Sequence, residues 1–87
     1  MTSREKRIER FCNITAEAES QEVIKVLEIL GYEIKRIKGS HFIFERKVTG
    51  RTEIIIIPVH NNKVKKRYVT DIIKLIKQSE NEKIQKI

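Results

Sequence analysis

Apolar residues recur at helical spacing near the start of the chain, at alternating spacing in its middle and at helical spacing again near its end. In SREKRIERFCN, Ile8, Phe11 and Cys12 stand at i, i+3 and i+4, which predicts a short amphipathic helix capped by Thr2 or Ser3. Its shortness suggests an appendage packed on the rest. The acidic ITAEAES that follows reads as a connection or the frayed start of the next helix. In SQEVIKVLEILGY, the stripe Val23, Val26, Leu27 and Leu30 predicts a helix with Ser20 as N-cap and Gly31 at the left-handed position past its end. Ile24 and Ile29 fall off that stripe, so this helix should touch apolar surface on two sides.

From Tyr32 the period shortens towards two. YEIKRIK, HFIFERK and RTEIIIIPV, separated by GS and TG, predict three strands in a meander. Gly at the first linker position is the preference of a type II′ two-residue hairpin, whose twist suits its strands. If Phe42 and Phe44 point into the core, alternation sends His41, Ile43 and Glu45 to the opposite face. Ile54 to Ile57 are apolar on both sides until Pro58, which cannot donate to a ladder, stops the run. The second face of that strand should therefore be covered by the N-terminal helix, another copy of the chain or a partner protein. After the loop VHNN, Val69, Ile72, Ile73 and Ile76 predict a closing helix, with Asn61 or Asn62 near its start.

The order helix, helix, three strands, helix predicts an α+β fold: a three-stranded antiparallel sheet with helices packed on one face. The other face is free for work. At 87 residues the chain is one domain, residues 1–87. Residues 1–18 form a helical extension, 20–77 the core and 80–87 a polar tail.

Charge changes this picture more than composition does. A net charge of +7 and a pI near 9.8 make a polyanion the first partner to consider. A basic surface with no partner is the plain alternative. No apolar run approaches the roughly 18 residues needed to span a bilayer, so a membrane is not expected. The first twenty residues lack the apolar stretch that export needs, which together with a lone Cys12 suits the cytoplasm. One Cys and two His offer no paired metal-ligand spacing, so neither metal nor other cofactor is expected.

Lys63, Lys65, Lys66 and Arg67 crowd the predicted start of the last helix, where the macrodipole is already positive. A docked phosphate backbone would explain the placement, and a solvated loop would leave it unexplained but harmless. Lys35, Arg36 and Lys38 lead into Gly39-Ser40, so hairpin and helix start together could frame one anionic groove. His41 can take or give a proton near neutral pH, whereas a histidine opening a strand is commonly structural. Gly39 leaves room beside it for a nucleic-acid backbone, and Ser40 or the turn amides could bind a phosphate. His60 reads as a loop residue, an auxiliary acid or a phosphate contact. No nucleotide-binding glycine loop or hydrolase triad is present.

Taken in order, VIKVLEILGYEIKRIKGSHFIF, IIIIPVH and KKRYVTDIIKLI resemble the HicA (YcfA-like) toxin family across about residues 20 to 77. The resemblance implies a fold like a double-stranded RNA-binding domain (dsRBD-like), α-β-β-β-α, here with an extra N-terminal helix. It implies a metal-independent endoribonuclease, an mRNA interferase that cleaves messenger RNA and is held inactive by a HicB-type antitoxin. The family's functional histidine carries over to His41, and the neighbouring Gly39 is expected to matter. Many members have a second histidine where this chain has Phe42. On this reading His41 removes the ribose 2′-hydroxyl proton, while Lys38 and Lys65 to Arg67 hold the strand. The different reading is a non-catalytic RNA-binding domain of the same fold, and a homo-oligomer stays open.

Overall fold

Residues 3–85 are described by the computed structural model. The elements are α1 (Ser3–Cys12), β1 (Ala18–Glu19), α2 (Ser20–Ile29), β2 (Glu33–Lys38), β3 (His41–Val48), β4 (Arg51–Pro58), β5 (Lys63–Val64) and α3 (Lys66–Gln85). β2, β3 and β4 form the expected antiparallel meander, and β1 pairs with β5 in a second, two-stranded sheet. The class is α+β, as the element order predicts, with the small second sheet as an addition. Thr2 lies outside the described residues, and the stretch from residue 80 continues α3 as far as Gln85.

The period-two argument holds in the packing. Phe44 and Ile57 are buried on one face of the sheet against Val23, Val26 and Leu27 of α2 and Val69, Ile72 and Ile76 of α3. Phe42 pairs with Ile57 and lies on that same face, partly buried. His41, opposite Pro58, stands on the outer face and is exposed. A one-residue slip would expose Phe44 and bury His41, and burying a phenylalanine is worth about 1.5–3 kcal/mol, so the core pins the register.

Gly31 ends α2 as expected, at φ +99°. The amide of Tyr32 donates to the Leu27 carbonyl and that of Gly31 to Glu28, the paired bonds of a Schellman motif. At the other end Ser20 is not a side-chain cap. It is the first helical residue, buried, and its amide donates to the Asn62 carbonyl at 2.9 Å, so the following loop supplies the partner. Asn61 and Asn62 do not cap α3 either. Both have positive φ, 52° and 62°, and form the two-residue turn between His60 and Lys63.

One of the three covers offered for β4 is ruled out, and two other expectations are corrected. The N-terminal helix packs on α2 and α3, and it does not cover the outer face of β4, where Ile54 and Ile56 are 60% and 52% exposed. Nor is α1 an appendage, because Phe11 is wholly buried in the same core as Phe44 and Ile72. Lys63 belongs to β5 rather than to the last helix, Lys65 immediately precedes that helix, and Lys66 and Arg67 are its first two residues.

Candidate nucleic-acid interface and its histidine

The β2–β3 connection is the two-residue turn Gly39-Ser40, closed by the pair Lys38 and His41. Gly39 has φ +56° and Ser40 is not in the left-handed region, the pattern of a type II′ turn. A Cβ at Gly39 would meet nothing within 4 Å, so there is open space beside the turn that precedes His41. Directly paired residues on one face have Cβ atoms about 4.5–5.5 Å apart, which makes Lys38 and His41 side-chain neighbours. Pro58 flanks the histidine on its other side.

One hydrogen bond ties this turn to the loop after β4. The Val59 amide donates to the Ser40 carbonyl at 2.7 Å. The chain then reaches His60, whose amide donates to the Lys63 carbonyl at 3.0 Å while the Lys63 amide returns a bond to His60 at 2.8 Å. β5 docks on β1 through Ala18 with Val64 and Glu19 with Lys63, and α3 begins two residues later. Gly39, Ser40 and His41 are thus tied to the loop that carries His60, and the basic run 63–67 follows that loop in the chain. Among the described residues no hydrogen bond joins the two histidines.

The basic residues are not equivalent. Lys63 lies 3.7 Å from Glu19, in a pair exposed enough to be worth little. Lys35 is shared between Glu33 at 3.4 Å and Glu45 at 3.8 Å. Among the described residues, Arg36, Lys38, Lys65, Lys66 and Arg67 have no carboxylate within 4.0 Å, although Arg67 lies over the Tyr68 ring at 5.4 Å. Positive charge is therefore uncompensated at the His41 end and neutralised at the Glu45 end.

Position 42 faces the core, so a histidine there would point away from any ligand lying on His41. Alternation already placed Ile43 beside His41; what sequence reading missed is that Ile56 pairs with Ile43 on that outer face. The face of Ile56 depends on the β3–β4 register, which alternation within one strand does not give. No group of three His, Cys, Asp or Glu side chains among the described residues is placed to hold a metal ion. No described helix is long and apolar enough to cross a membrane.

Residues 20–79 match the family model described as HicA toxin of bacterial toxin-antitoxin. The match starts at the first residue of α2 and takes in the three-stranded sheet, the His60 loop, β5 and most of α3, with α1 and β1 outside it. No curated protein and no solved structure matches the chain.

Proposed function

The chain belongs to the HicA toxin family of bacterial toxin–antitoxin systems, and from that premise we propose that it is a metal-independent endoribonuclease that cuts messenger RNA with His41 as base. The observation that carries this reading is the placement of His41: exposed, opposite Lys38, beside a turn with open space, on a face whose nearest cations lack carboxylate partners. An open face of this kind suits a long polyanion better than a small molecule.

An imidazole nitrogen of His41 takes the proton of a ribose 2′-hydroxyl, and the 2′-oxygen attacks the adjacent phosphorus. The bond to the 5′-oxygen breaks, leaving a 2′,3′-cyclic phosphate on one fragment and, after proton transfer, a 5′-hydroxyl on the other. A positioned base contributes typically 10²–10⁴-fold. Lys38 stabilises the extra negative charge on the crowded phosphorus. Ser40 and the Gly39 turn receive the backbone, Lys63, Lys65, Lys66 and Arg67 hold its continuation, and His60 is the candidate donor to the departing oxygen.

A HicB-type antitoxin neutralises the protein by covering this same outer face, whose exposed Ile54 and Ile56 give it apolar area to bury. The test compares wild type with His41→Ala on an RNA oligonucleotide in excess chelator, with and without the antitoxin. Wild type should leave cyclic-phosphate ends, be silenced by the antitoxin and fail at a 2′-deoxy linkage. His41→Ala should lose at least about 10²-fold in cutting with RNA binding nearly intact. Equal cutting by both proteins, or equal inertness with equal binding, would favour a non-catalytic RNA-binding domain or another catalytic group.

A further inference from the structure

β2 contains a bulge, and the bulge decides which way Arg36 points. The pairing runs Glu33 with Glu45 and Ile34 with Phe44, then skips Lys35 and resumes as Arg36 with Ile43, Ile37 with Phe42 and Lys38 with His41. Without the extra residue, strict alternation from Ile34 would turn Arg36 towards the core and Ile37 to the outer face. With it, the register puts Ile34 and Ile37 on the same face as Phe42 and Phe44, though on this edge strand they are 37% and 53% exposed, and Arg36 joins Lys38 and His41 on the outer face. Bulges beside functional sites commonly re-aim a side chain in this manner.

Three observations bear on what the re-aimed arginine does. It is exposed, and among the described residues it has no carboxylate within 4.0 Å, whereas its neighbour Lys35 lies between Glu33 and Glu45. It stands two residues from Lys38 on the same face of one strand, a separation of about 6.6 Å. That is close to one nucleotide step of an extended strand, so two consecutive phosphates can meet Lys38 and Arg36 in turn. The guanidinium also presents a planar fork suited to two phosphate oxygens at once.

Resting on the ribonuclease reading, we infer that Arg36 binds the phosphate adjacent to the one being cut, so that the enzyme engages two consecutive phosphates and not one. Beyond it Lys35 is engaged by Glu33 and Glu45, so among the described residues no uncompensated cation carries the track further along β2. Arg36 is thus the last cationic contact along β2.

The experiment uses dinucleotides with one cleavable linkage, bare or carrying an additional 5′- or 3′-terminal phosphate. Wild type should cut one of the two phosphorylated forms about tenfold faster in kcat/KM than the bare form, and Arg36→Ala should erase that gain while still cutting the bare form. Arg36→Lys should recover part of it. In parallel, binding of a long RNA by His41→Ala, with and without Arg36→Ala, is followed against salt. Loss of one phosphate contact should lower the slope of log affinity on log salt by about 0.7. An unchanged phosphate gain together with an unchanged salt slope would overturn the assignment. So would an Arg36→Ala protein that loses only antitoxin affinity, since the arginine would then serve a protein partner. Wild type that binds RNA but cuts none of it would sink the ribonuclease reading instead, and the salt slope would still decide whether Arg36 touches phosphate.

Discussion

Two glycines show how differently one residue type can be constrained. Gly39 and Gly31 both have positive φ, but a Cβ at Gly39 meets open space, while one at Gly31 lies 3.1 Å from Cδ of Arg46. Alanine at Gly39 should cost about 1–2 kcal/mol from backbone strain alone. Alanine at Gly31 should cost more, because the Arg46 side chain must also shift, and urea unfolding of the two variants would rank them. Gly31 as a helix terminator and Gly39 as a turn opener are both legible from neighbouring residues. The crowding at Gly31 is not, since Arg46 lies 15 positions away in the chain.

Between elements, Arg46 acts as a clasp. Its Nε and Nη2 donate to Glu53 Oε1 across the β3–β4 pair, and its Nη1 donates to the Leu30 carbonyl at the end of α2, 2.9 Å away. Its guanidinium lies 4.6 Å from the Tyr32 ring centre. The hydrogen bond from Arg46 holds the Glu53 carboxyl below its ordinary range, and burial pushes the Tyr32 hydroxyl above its own. The signs oppose. Because Glu53 binds its proton less tightly when folded, its contribution is complete above about pH 4.5 and disappears as pH falls through the depressed folded value. Tyr32 contributes fully below about pH 10 and loses that contribution at higher pH. Arg46→Ala should cost about 1–2 kcal/mol near neutrality, and Glu53→Gln should flatten the acid limb of a stability–pH profile. Alternation placed the strands and the two phenylalanines correctly because burial on one face demands it. It could not find β1 and β5, since two-residue strands carry no period. The bulge did leave a trace: Ile34 and Ile37 are three apart where two was expected. Asn61-Asn62 between His60 and Lys63 is likewise a two-residue turn signal, hidden in a polar loop.

Across the whole molecule, division of labour runs by face: helices and core on one side of the sheet, His41 with Arg36 and Lys38 on the other. Much of that division was legible, since parity alone sends His41 away from Phe44. What was not legible is which charges remain uncompensated, because ion pairing depends on cross-strand neighbours such as Glu45 and Glu19. The N-terminal helix was undervalued for a related reason, its length giving no hint that Phe11 reaches the centre. Phe11→Ala should cost about 3–5 kcal/mol, much of the 5–15 kcal/mol that holds a small domain together, and circular dichroism against temperature would register it. The segment shared with the family starts at residue 20 and therefore omits this plug. A gene trimmed to that segment would encode a protein with a hole where an aromatic ring belongs. Its harmlessness to a host cell would say nothing about whether the intact toxin can cut RNA.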